Sequence, residues 1–141
     1  MDRIHEIKSP AEIVHIMMSK DEFSSWMDIK IDSIEKGKCS LCCQIRKEML
    51  NGFSIAHGGI AYSLADSTLA FAANSYGLQS FSIETSISHL VKVKEGDLLK
   101  SNSIEIHRGN KTALYQIEVY NQKNIMVAIM KGTVYISKIV W

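Results

Sequence analysis

Hydrophobic and polar positions change their period twice along this chain. In residues 10–19, Ile13, Ile16 and Met17 recur at helical spacing, Ser9 can cap, and Pro10 suits the first helical position. That pattern predicts a short amphipathic helix. Alternation follows. Met27, Ile29 and Ile31 share one face of a first strand, and Cys39, Leu41, Cys43 and Ile45 share one face of a second over 39–45. Glu35-Lys36-Gly37-Lys38 supplies the turn between them. Residues 58–75 are then apolar all round, the mark of a buried helix, and Gly77 closes it as a left-handed cap.

From Ser80 the period returns to two. Phe81, Ile83, Ile87, Val91 and Val93 alternate with Ser82, Glu84, Ser86, Ser88 and Lys92. Further strands are predicted over about 97–107, 112–120 and 125–136. Glu95-Gly96-Asp97, Gly109-Asn110 and residues 121–124 mark the turns. The order is helix, two strands, one long helix, then four strands in antiparallel succession. It predicts an α+β domain: a curved antiparallel six-stranded sheet wrapped around one long helix. No linker or repeat interrupts it, so residues 1–141 form a single domain.

Composition narrows the function classes. Apolar residues make up 46% and charged ones 22%, which fits a globular chain. A net charge of +1 with scattered basic residues gives no pull toward nucleic acid or a membrane surface. The first twenty residues lack the apolar core of a signal peptide. Asp66, Asn74 and several hydroxyl residues make the 57–77 stretch a poor membrane span. A soluble, cytoplasmic protein is expected. Three cysteines so close together form no disulfide framework, and no second ligand pair accompanies them for zinc. They read as core residues of the second strand.

Candidate chemistry concentrates in HGGIAYSLADSTLAFAANSYG, residues 57–77, where Asp66 is the single charge. A lone carboxylate in a buried helix must be paired, hydrogen-bonded or held at a raised pKa. Gly58 and Gly59 stand at the helix start, where free backbone N–H groups can reach a ligand oxygen. No G-x-S-x-G elbow surrounds Ser63 or Ser67, and no phosphate-binding or dinucleotide fingerprint is present. His5, His15 and His89 have no partners in the pattern. His57 before two glycines, and Asn51-Gly52, also occur as ordinary turns.

Together, Asn51-Gly52, His57-Gly58-Gly59, Leu64-Ala65-Asp66 and Asn74-Ser75-Tyr76-Gly77 resemble the hotdog-fold acyl-CoA thioesterases. Within these, they are most similar to the phenylacetate-degradation (PaaI-like) group. The resemblance continues through Ser82-Ile83-Glu84 and the Glu95-Gly96-Asp97 turn to the strands after Arg108-Gly109, covering most of 45–136. It implies a homodimer or homotetramer whose sheets join edge to edge, with active sites at the subunit interface. Asp66 of one subunit would then work with Asn51, His57 and Gly58 of the other.

The resemblance implies hydrolysis of an aryl-acetyl or short- or medium-chain acyl-CoA, without cofactor or metal. The Gly58 N–H would polarise the thioester carbonyl. Asp66 would act as general base on water or as nucleophile, the first form being favoured. Asn51 would orient the water or Asp66, and His57 the Gly-Gly turn and thioester. Ser82 would help place the water, and Gly59 and Tyr62 would line the substrate site. Arg108 and Lys111, in a compact basic turn, would meet the coenzyme A phosphates; Lys92 and Lys94 form a second such group. An enoyl-thioester hydratase or dehydratase on the same fold, and a non-catalytic acyl-CoA-binding protein, are the rival readings. Residues 1–40 show no helix-turn-helix pattern that would make the second a regulator.

Overall fold

The computed structural model describes residues 7–141, so His5 lies outside the described residues. Helix α1 spans Pro10–Lys20 and α2 Glu22–Trp26; strands β1 and β2 span Lys30–Glu35 and Lys38–Gln44. The long helix α3 spans Gly58–Asn74. Strands β3 Leu78–His89, β4 Leu98–Arg108, β5 Thr112–Tyr120 and β6 Met126–Val140 complete the chain. All six strands form one antiparallel sheet in the order β1-β2-β4-β5-β6-β3. The α+β arrangement predicted from the sequence is present.

The sheet curves around α3 because the helix is apolar on nearly every side. Leu64, Ala65, Leu69 and Ala72 have no exposed surface and Phe71 almost none. Burying a side chain of the Leu or Phe kind stabilises by about 1.5–3 kcal/mol. Helix and sheet approach closely at Gly132 of β6, where a Cβ would stand 2.6 Å from Leu69 Cδ2. The far end of α3 is pinned by Asn74. Its amide donates to the carbonyls of Ala70 and Ser80 at 2.8 and 3.0 Å. Its oxygen accepts from Ser80 N–H and the Trp141 indole, both at 2.9 Å. Gly77 then turns the chain into β3 at φ +101°, the left-handed conformation expected of it.

Three local expectations change. A short helix, α2, intervenes after α1, capped by Asp21, which accepts from the Ser24 N–H at 2.9 Å. Met27 closes that helix instead of opening β1, although it is buried as the pattern required. The alternation of β3 also breaks, at a bulge between Ser82 and Glu84. The extra residue reverses the two faces. Phe81 pairs with exposed Tyr135 on the outer surface, whereas Ile87 pairs with buried Met130 on the helix side. Val91 and Val93 follow in an irregular segment beyond the strand.

Cys39 and Cys43 are buried and unbonded, and burial pushes their thiols up to about 12 and about 11. Such thiols are unreactive packing groups. Among the described residues no helix is long and apolar enough to cross a membrane, and no group of three metal-ligating side chains is assembled.

Candidate active site

The approach to α3 is held by backbone bonds that leave little freedom. His57 N–H donates to the Met49 carbonyl and Ala56 N–H to that of Val93, each at 2.8 Å. Asn51 shapes the preceding turn: its Oδ1 accepts from Phe53 N–H at 2.9 Å, and its N–H donates to the Ile55 carbonyl at 2.8 Å. The Asn51 side-chain NH2 keeps no partner among the described residues.

His57 is the N-cap of α3, and its Nδ1 accepts from Gly59 N–H at 2.9 Å. An accepting Nδ1 carries no proton, so the ring's N–H is on Nε2. Gly59 N–H is thereby occupied, whereas Gly58 N–H has no acceptor among the described residues. A free amide at the positive end of a helix dipole is suited to hold a partly negative oxygen. Asn51, His57 and Gly58 line one cavity of about 300 Å³ together with Lys92 and His89. His89, the last residue of β3, is the member of this group that sequence reasoning missed. Its ring is the nearest group to Gly58: a Cβ there would stand 3.2 Å from His89 Nε2.

Behind His57 and Gly59 lies a second hollow of about 330 Å³, with Phe23, Trp26, Leu50 and Ile60 in its walls. The two hollows flank the same helix terminus.

Asp66 is elsewhere. It lies more than two turns along α3 from Gly58, about 12 Å on helix geometry. The chain returns antiparallel beside this helix. Tyr62 is hydrogen-bonded to Thr85, and Asn74 to Ser80, so Asp66 lies along α3 between these two contacts with β3. Asp66 is half-buried, and burial pushes its carboxyl above the usual aspartate range. Among the described residues no side chain or backbone group hydrogen-bonds or ion-pairs with it. Tyr62 lies midway along α3 between Gly58 and Asp66, and Ser82 lies at the β3 bulge.

Arg108 and Lys111 are at the opposite end of the fold. The Arg108 guanidinium lies 3.6 Å from the centre of the Tyr76 ring, just past the C-terminus of α3, with Nη1 buried and unpartnered. Beside it, Tyr76 and Tyr115 donate to the Glu105 carboxylate at 2.6 and 3.1 Å. Lys111 is exposed at the β4–β5 turn. Within one protomer neither cation reaches the cavity beside Gly58, while Lys92 lines it.

β3 occupies one edge of the sheet, with its outer side unpaired over Leu78–His89 and Phe81 and Ile83 more than half exposed. A long, apolar free edge is a template for pairing with another chain.

The family model described as the thioesterase superfamily matches residues 53–128, which hold the His-Gly-Gly turn, α3 and most of the sheet. A putative esterase from Archaeoglobus fulgidus is 39% identical over 84% of this chain and 77% of its own length. The acyl-coenzyme A thioesterase PaaI of Escherichia coli is 34% identical over 84% of each chain. The solved structure of the E. coli PaaI protein superposes with a TM-score of 0.91 at 30% identity, covering 93% of this chain and 95% of that one.

Proposed function

The chain belongs to the thioesterase superfamily and is a thioester hydrolase of the hotdog fold; from that premise we propose that it cleaves an acyl-CoA at sites completed by a second copy of itself. The observation that carries this reading is Asp66: a half-buried carboxylate with no partner among the described residues, beside an unpaired sheet edge. Pairing two β3 edges antiparallel would set the start of one α3 near the middle of the other. The acid of one subunit would then face the free amide of its partner. A homodimer is the minimum assembly, and two such dimers can pair into a tetramer.

The chemistry follows from the groups so assembled. The thioester oxygen accepts from Gly58 N–H, which opposes no build-up of negative charge and needs no reorganisation. Asp66 takes a proton from water as the water oxygen bonds to the acyl carbon. The carbon–sulfur bond then breaks, giving the free acid and the coenzyme A thiolate. A raised pKa makes Asp66 a stronger base than an exposed aspartate. Direct attack by Asp66, through a mixed anhydride, uses the same geometry. The free NH2 of Asn51 orients the water or the acid, His57 holds the Gly-Gly turn, and Ser82, at the β3 bulge, helps place the water.

The hollow walled by Phe23 and Trp26 suits an aryl-acetyl or short- to medium-chain acyl group. Gly59 opens onto it, and Tyr62 would meet the acyl chain from the other subunit's helix. Lys92, on the cavity, is placed to meet the coenzyme A phosphates; Arg108 and Lys111 would reach them only from the partner. Such a hydrolase would act in the cytoplasm, where acyl-CoA is made and used.

The test is a panel of acyl-CoAs assayed with a thiol-reactive dye, for the native chain and Asp66→Asn. Thiol release by the native chain and its loss in the variant are expected. Equal turnover in the two would overturn the role of Asp66. Crotonyl-CoA in the same panel separates the rivals, since hydration without thiol release would mark a hydratase.

A further inference from the structure

His89 stands at the mouth of the cavity with an unused hydrogen-bonding edge. It pairs with buried Ala128, which places its side chain on the helix side of the sheet. Just beyond it, Leu90 and Val91 N–H both donate to the Val127 carbonyl, at 2.8 and 3.3 Å, which fixes the direction of the strand's exit. The three nearest atoms to a Cβ on Gly58 all belong to the His89 ring: Nε2 at 3.2 Å, Cε1 at 3.5 Å and Cδ2 at 3.9 Å. The imidazole therefore presents its Nε2 edge to the start of α3. Neither ring nitrogen has a partner among the described residues, and Gly58 N–H beside it has none either. Both groups line the same cavity.

We propose that His89 donates a hydrogen bond from Nε2 to the thioester carbonyl oxygen, forming with Gly58 N–H a two-donor oxyanion site. The inference rests on the thioesterase reading above. An oxygen that gains charge as water adds has room for a second donor, and one backbone amide supplies only the first. The sulfur is the poorer target. A thiol ionises at about pH 8.5, far below water or an alcohol, so a departing thiolate needs less help than the tetrahedral oxygen, which carries a full charge. The proton stays on the ring throughout; His89 stabilises charge and transfers nothing. This assignment also accounts for a glycine at position 58, because any side chain there would press on Nε2 and on the oxygen's seat.

Three variants test it in the same thiol-release assay. His89→Phe removes the donor and keeps a ring; kcat should fall about 10²-fold while KM changes little, the size typical of one lost oxyanion donor. His89→Gln keeps an N–H but cannot act as a base, and it should recover most of that loss. His89→Ala must lose kcat as His89→Phe does, which covers the case where the phenyl ring disturbs folding. A His89→Phe enzyme with native kcat, a change confined to KM, or a glutamine variant as slow as phenylalanine would each overturn the proposal. Asp66→Asn measured alongside separates the two layers. If the native chain releases thiol and Asp66→Asn does not, the thioesterase reading stands even when His89 proves dispensable. No thiol release from any acyl-CoA by the native chain defeats both.

Discussion

Gly58 and Asp66 share one helix, yet they stand about 12 Å apart along its axis. Gly58 N–H faces a cavity with Asn51, His57 and His89; Asp66 lies farther along α3, between the helix's contacts with Thr85 and Ser80 of β3. An attacking water and the carbonyl it attacks are within about 3.5 Å of each other. One protomer's acid and one protomer's amide therefore cannot serve the same carbonyl. On the proposed reading, each helix would supply half of two sites.

Replacing Asp66 by Asn keeps the shape and removes the proposed base. Turnover of a good acyl-CoA should drop by roughly 10²–10⁴-fold, the usual contribution of a general base. Binding of the product, coenzyme A, should persist, and calorimetry would check it.

The pH dependence follows from the same carboxyl. Burial raises the pKa of Asp66 in the folded state above 3.8, so the folded chain holds this proton more tightly than the unfolded one. Its contribution favours folding most fully below the unfolded value and is lost as pH rises through the folded value. Activity runs the other way, because the base must be ionised. The acidic limb of kcat/KM should lie above the ordinary aspartate range, and Asp66→Asn should flatten the matching slope in denaturation midpoint between acid and neutral pH.

Gly132→Ala should destabilise without touching chemistry. The new methyl would stand 2.6 Å from Leu69 Cδ2, in a helix–sheet contact with no free space. Overpacking of this kind costs about 1–3 kcal/mol, readable as a lowered midpoint in urea.

Asn74→Ala strips four hydrogen bonds at once, from Ala70, the two backbone groups of Ser80 and the Trp141 indole. Buried groups left unsatisfied cost about 1–3 kcal/mol each, less where water can enter. A large fall in thermal midpoint is expected, and Trp141 fluorescence should shift as the indole loses its partner.

These structural roles show which features could be read from the chain and which could not. The long helix and the shared face of Cys39, Leu41 and Cys43 rest on local spacing and are where spacing puts them; Gly77 takes the expected left-handed turn, although Ser75, two residues earlier, is the helix C-cap. The β3 bulge is invisible to a period-two pattern. Phe81 and Ile87 fit one alternation on paper, but a single inserted residue sends them to opposite faces. Helix α2 is too short to show periodicity, and its signal was the Asp21 cap beside Ser24. His89 carried no motif; only the antiparallel return of β3 along α3 brings it to Gly58. Arg108 illustrates the converse. Its basic turn suggested a phosphate contact, while its guanidinium rests on the Tyr76 ring at the other end of the helix.

The shared helix is tested most directly by mixing two inactive variants. Asp66→Asn keeps the amide and lacks the base; Gly58→Ala keeps the base and crowds the amide against His89. The two are unfolded together, refolded as a mixture, and assayed for thiol release beside each variant refolded alone. If acid and amide act across the interface, a mixed pair contains one site with both native groups, and activity returns in the mixture only. A mixture no more active than its components would contradict the account.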